Sequence, residues 1–205
     1  NRTVNMLNRY FGGEVPSVAP ADAERAIAEL AAKTLGEFRA RFDAYDFSRG
    51  LDTVWQLIAR LNKYLVETQP WTLAEADFET NQPRIAAILY TAAEAVRQCA
   101  VLLYPVIPRS AQRLWSQLGC EGRLEEQRLD ELRWGGLQPG TRVSKPEIIF
   151  PRLDKEAAIT RLLELDRAEQ KASSPPKEVS TPVQPEATAA PKISIEDFAK
   201  VEMRV

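Results

Sequence analysis

Apolar side chains recur every three or four positions through most of the first 165 residues, the period that turns one face of a helix toward a core. Val4, Leu7, Tyr10 and Phe11 open the pattern and Gly12–Gly13 stop it, predicting a first helix over 2–11. Pro16 and Pro20 mark a loop. Asp22 is placed to cap a second helix running to about Ala44, with a stripe of Ile27, Leu30, Ala31, Leu35, Phe38 and Phe42. Gly36 interrupts that helix, as expected where another helix passes close. Asp46–Ser48 are placed to cap a third helix, whose stripe is Leu51, Val54, Trp55, Ile58, Leu61 and Leu65. Pro70 disfavours helical geometry at Gln69, so this helix ends there and Trp71 follows immediately. A short turn is expected over Leu73 to about Phe78. The fourth helix then runs from about Pro83 to Leu103, burying Ile85, Ile88, Leu89, Ala92, Val96, Cys99 and Leu103. Pro105 and Pro108 break it, and Pro108 begins a fifth helix carrying Ala111, Leu114, Trp115 and Leu118, stopped by Gly119.

The pattern weakens between about Glu121 and Asp154. Leu129, Leu132 and Trp134 suggest a helical turn or two, and Ile148, Ile149 and Phe150 a short strand or an extended cover. Asp154 is placed to cap a helix with Ala158, Leu162 and Leu165. From about residue 171 Ser, Pro, Thr, Ala, Glu and Lys dominate, a composition that cannot bury enough apolar surface to offset its ordering entropy. Order is expected again at Ile193, and Val201 to Val205 alternate apolar and charged residues as a strand does. The organisation expected is therefore all-α: a helical bundle over 1–165, a flexible linker over 166–192, and the truncated start of a β-containing domain over 193–205. The chain begins inside a helical pattern without Met and ends inside a strand-like one, so it reads as a fragment of a longer protein.

Composition narrows the chemistry. Of 205 residues 44% are hydrophobic and 27% charged, an ordinary globular balance, and the net charge of -2 excludes a polycation that holds nucleic acid by global charge. There is no histidine, which removes the usual general base, metal ligand and histidine-based triads. Cys99 and Cys120 stand apart, so no zinc or redox pair is present and no metal site is expected. No uninterrupted apolar run approaches the ~18 residues of a membrane span, and no signal peptide is visible. A cytoplasmic protein is expected. Gly12–Gly13 and Gly135–Gly136 terminate elements rather than form a phosphate loop, and no catalytic constellation is found. A binding module is the expectation.

Two features carry that expectation. Trp71, presented at a helix end, is either a packing plug or a platform for an unstacked base. Arg2, Arg9, Arg39, Arg41, Arg49 and Arg60 form either a solvated charged face or a rim that contacts phosphates.

The run Phe47-Ser48-Arg49 and Leu51, then Asn62-Lys63-Tyr64 and Pro70-Trp71, resembles the anticodon-binding domain of bacterial methionyl-tRNA synthetases. The opening Asn1-Arg2-Thr3-Val4-Asn5-Met6 with Arg9-Tyr10-Phe11-Gly12-Gly13, the block Tyr104-Pro105-Val106-Ile107-Pro108 and the block Ile149-Phe150-Pro151-Arg152-Leu153 are similar to the same family. Ile193 to Val205 resembles the first elements of the oligonucleotide-binding-fold domain appended to many of these enzymes. The resemblance implies a bundle of the class I synthetase anticodon-binding type that reads the CAU anticodon. Trp71 would stack on the first anticodon base and Arg2 would contact an anticodon base or phosphate. Asn62, Asn5 and Tyr64 are weaker candidates, each equally readable as a packing polar residue. A further family asparagine, four residues before the arginine, falls upstream of this sequence. The implied parent is a methionine–tRNA ligase using ATP with magnesium, with zinc a candidate, acting on tRNA(Met), and a homodimer through its C-terminal domain. The alternatives are the related domain of a leucine, isoleucine, valine or cysteine synthetase, or a non-catalytic tRNA-binding adaptor.

Overall fold

The computed structural model describes residues 1–18, 21–152 and 154–172, and side chains up to 168. Among them are six α-helices: α1 (Arg2–Phe11), α2 (Asp22–Asp43), α3 (Phe47–Thr68), α4 (Pro70–Leu103), α5 (Pro108–Gln117) and α6 (Lys155–Ala172). The all-α expectation holds for these residues. The chain divides into two compact units, Asn1–Pro151 and Arg152–Val205, and the first holds α1 to α5. In the second, α6 crosses the 165/166 boundary read from the sequence and opens as expected, Asp154 Oδ1 accepting the Ala157 N–H at 2.9 Å. The rest of the expected linker and the β-domain stub at 193–205 lie outside the described residues.

α4 is the axle of the first unit, packing against α1, α2, α3 and α5. Its apolar stretch is long enough to cross a membrane by length and composition, but 89% of that window is buried inside the bundle. Ala87, Ala92, Ala93, Ala95 and Ala100 keep its flanks thin, so neighbouring helices approach closely on several sides. α2 and α3 form a hairpin across Ala44–Asp46, with Phe38, Val54 and Leu57 in a core shared with Leu102, Ala111 and Trp115. A second core joins Val4 and Leu7 of α1 to Ile85 and Leu89 of α4 and to Leu137 and Val143 of the late loops. A buried ion pair fastens those loops: Arg97 Nε and Nη2 each donate to Glu94 at 2.8 Å. Glu94 also accepts the N–H groups of Gly135 (3.0 Å), Gly136 (3.3 Å) and Leu137 (2.9 Å), which leaves a fully buried charge well satisfied.

Several local expectations change. Asp22 does not cap α2; Ala21 holds the cap position and the Asp22 carboxylate pairs with Arg25. A side chain at Gly36 would meet nothing within 4 Å, whereas a Cβ at Gly50 would lie 2.7 Å from the Phe42 ring, so the close helix approach is at Gly50. α3 is turned so that Leu57 and Tyr64 are buried and Trp55 is 53% exposed. Pro83 lies inside α4 rather than at its start. The short turn expected before it is helical from Pro70, and the helix breaks at Asp77 (φ -165°, ψ 100°). Between 121 and 150 the structure holds one 3-10 turn, Leu124–Glu126, and no strand; Leu132 is buried, with Leu129 and Trp134 packed on the same core. Among the described residues, extended pairing is limited to a bridge between Glu14 and Arg142.

Candidate nucleic-acid interface

The end of α3 fixes where Trp71 goes. Gln69 takes a left-handed conformation (φ 41°, ψ 60°), donates its N–H to Leu65 O at 3.1 Å and serves as both the C-cap of α3 and the N-cap of α4. Pro70, at the first position of α4, has its φ already set for a helix and no N–H to lose. The side chain of Pro70 is buried and Trp71 follows half-buried in the first turn. Trp71 packs by one side on the core of α1 and α4, together with Leu73, Ala74 and Phe78.

Asp77 closes this short segment. Its carboxylate accepts the Thr80 N–H at 3.2 Å and hydroxyl at 2.7 Å, the cap that starts the main length of α4. Those Thr80 hydrogen bonds hold the Asp77 carboxyl below its ordinary range. Asn81 Nδ2 donates to Asp77 O at 2.9 Å and to Leu73 O at 3.1 Å, bridging the break. The spacing Asp77-x-x-Thr80 is a legible cap signal, and it marks the true helix start better than Pro83 does.

Arg2 meets Trp71 here. Its guanidinium carbon lies 6.0 Å from the Trp71 ring centroid, at the outer edge of cation–π range. α1 carries no acidic residue, and the first turn of α4 carries none either. The α4 N-terminus adds its partial positive charge, so this corner favours an anion or an electron-rich edge. Asn5, one turn along α1 from Arg2, is exposed, and its side chain has no hydrogen-bond partner among the described residues. Asn62 is also exposed, on α3, and its amide likewise hydrogen-bonds to no described residue.

Tyr64 is placed differently. It is 1% exposed, its hydroxyl donates to Glu24 of α2, and Arg84 donates to the same Glu24 oxygen at 2.7 Å. Burial and the Glu24 charge push the Tyr64 hydroxyl well above its usual range. This is a structural proton, held inside the bundle and facing away from solvent. Of the other arginines in that set, Arg41 and Arg49 pair with Asp46 and Arg60 with Glu67, while Arg39 has no ion pair among the described residues. Arg2 and Arg9 have no ion pair among the described residues, and each lies over an aromatic ring. Burial pushes both thiols up, Cys99 to about 12 and Cys120 to about 11, which favours the protonated form. Among the described residues no cluster of His, Cys, Asp or Glu could hold a metal ion.

The family model for the anticodon binding domain of methionyl tRNA ligase matches residues 15–161. The methionine–tRNA ligase of Halalkalibacterium halodurans is 36% identical over 210 residues, covering 100% of this chain and 30% of the relative. That of Streptomyces coelicolor is 40% identical over 164 residues, covering 77% of this chain and 30% of the relative. α1 precedes the range of the family model but lies within the first of these alignments. The free-state structure of Mycobacterium tuberculosis methionyl-tRNA synthetase superposes with a TM-score of 0.68 at 32% identity, covering 75% of this chain and 30% of its own. The chain thus spans about 30% of the length of the relatives it matches. Its fold, its sequence and the residues matched agree: this chain belongs to the family of anticodon-binding domains of methionyl-tRNA ligases.

Proposed function

We propose that this domain reads the CAU anticodon of methionine tRNAs, with Trp71 stacking on the first anticodon base and Arg2 contacting an anticodon base or its phosphate. The observation that carries this reading is the Arg2 guanidinium set over a half-buried tryptophan ring at 6.0 Å, with no acidic residue on α1 or in the first turn of α4. An anticodon loop offers unpaired bases, which proteins read by stacking and by hydrogen bonds to base edges. Asn5 and Asn62, exposed with unengaged amides, are the supporting polar groups, since an amide supplies both donor and acceptor to a base edge. Tyr64 acts only by fixing α3 against α2 and so holding the helix end that presents Trp71.

The parent enzyme would activate methionine with ATP and magnesium, transfer it to tRNA(Met) in the cytoplasm, and dimerise through its C-terminal domain. In the full-length enzyme Trp71→Ala is expected to lower aminoacylation kcat/KM by about 5- to 150-fold, the value of one base–aromatic stack, while methionine-dependent ATP–pyrophosphate exchange is unchanged. Equal aminoacylation by wild type and variant would refute the role of Trp71.

A further inference from the structure

Arg2 over Trp71 is one of two such pairs on α1. The Arg9 guanidinium lies 5.5 Å from the Tyr10 ring centroid, and Tyr10 stacks on Phe78 with centroids 6.0 Å apart and planes at 28°. Phe78 is the first residue after the Asp77 break, so the Arg2–Trp71 pair meets α4 before the break, and Tyr10, through Phe78, meets it just after. Arg2, Asn5 and Arg9 are spaced i, i+3, i+7, and all three are exposed on one face of α1. α1 has no acidic side chain, and neither arginine has an ion pair among the described residues; of the other candidate arginines Arg41, Arg49 and Arg60 are paired and Arg39 is not. The hydroxyl of half-buried Tyr10 has no hydrogen-bond partner among the described residues, although a tyrosine at such a place ordinarily finds one. Two cation–aromatic stations with unneutralised charge, about 10 Å apart by the helix rise, match about three steps of a stacked strand.

We infer that Tyr10, backed by Phe78 and flanked by Arg9, is a second nucleotide station, which takes an unpaired base of the same loop whose first anticodon base rests on Trp71. The inference rests on the anticodon-reading proposal. On binding, the exposed Arg9 side chain moves from the ring to a phosphate, and the Tyr10 hydroxyl gains a sugar or phosphate partner. The two stations make a track along α1, and the track sets which stretch of loop is splayed open.

The test uses the full 205-residue chain and RNA hairpins carrying the CAU loop, with 2-aminopurine placed at one loop position at a time. Quenching at the first anticodon position is expected to depend on Trp71. Quenching at one other loop position is expected to vanish in Tyr10→Leu and to persist in both Tyr10→Phe and Trp71→Leu. Hairpin affinity should fall about 5- to 150-fold in Tyr10→Leu. Arg9→Gln, an exposed change that leaves packing alone, should flatten the slope of log affinity against log salt by about 0.7. Should Tyr10→Leu lose its helical circular dichroism, the Arg9→Gln slope and the Tyr10→Phe affinity decide. Unchanged quenching at every other position in Tyr10→Leu, or an unchanged slope in Arg9→Gln, overturns the second station while leaving Trp71 in place. Loss of the Trp71 dependence itself overturns the anticodon reading and the second station with it.

Discussion

Trp71 owes its place to its two predecessors. Gln69 is held at positive φ (41°), which costs a non-glycine residue free energy that the surrounding fold must supply, and Pro70 then commits the chain to a new helix. Glu24 shows the same dependence inside the bundle. Burial raises its carboxyl, but hydrogen bonds from Tyr64 and Arg84, with the Arg84 charge, outweigh burial and hold it below its ordinary range. A depressed carboxyl contributes stability that is present above the unfolded value and lost as pH falls through the folded one. Thermal stability should therefore fall on acidification below about pH 4, and Glu24→Gln should remove that dependence and cost about 2 kcal/mol at neutral pH by weakening charge-assisted hydrogen bonds. Thermal melts of both proteins between pH 3 and pH 7 check this; parallel melting curves would refute it. At this scale the sequence singles out Trp71, because a proline before a ring is a local signal, whereas Arg2 stands out from the other arginines only through the family resemblance. The sequence leaves Tyr64 open between a supporting contact and a packing residue, and the structure buries it: its partners Glu24 and Arg84 lie 40 residues before it and 20 after it, and no local pattern announces a buried carboxylate.

At the scale of elements, hydrophobic period and proline placement located α1, α2, α3 and α5 to within a residue or two. The errors have physical causes. The stripe read for α3 includes Trp55, but the helix faces inward where Gly50 lets Phe42 approach and where Tyr64 reaches Glu24, which keeps Val54, Leu61 and Leu65 inside and leaves Trp55 outside. α4 was started at Pro83 because proline favours an early helical position, yet Asp77 supplies the cap that fixes the start six residues earlier. Asp77→Ala is expected to lower Tm by about 2–4 °C through loss of the cap. The same change should weaken hairpin binding, because the Pro70–Ala76 segment that carries Trp71 loses its anchor. Unaltered binding with a lowered Tm would show that this segment is held by Asn81 and the core instead.

At the scale of the whole molecule, the bundle is built on the main length of α4, after the Asp77 break, with partners on several sides and a charged staple, Glu94–Arg97, that pins the irregular late loops to it. The sequence could not place those loops, since their order comes from backbone N–H groups converging on one distant carboxylate rather than from any period of their own. The net charge of -2 makes the unpaired Arg2 and Arg9 on α1 stand out, and binding that depends on so few cations should have a shallow salt dependence. The central claim is that Trp71 itself carries the first anticodon base. It is tested by a double-mutant cycle on hairpin affinity, with wild type and Trp71→Ala each measured against a CAU loop and against the same loop made abasic at the first anticodon position. The stacking reading predicts that removing the base costs wild type about 5- to 150-fold and costs Trp71→Ala almost nothing further. An equal loss in both proteins would show that the base and the ring do not meet, and would contradict it.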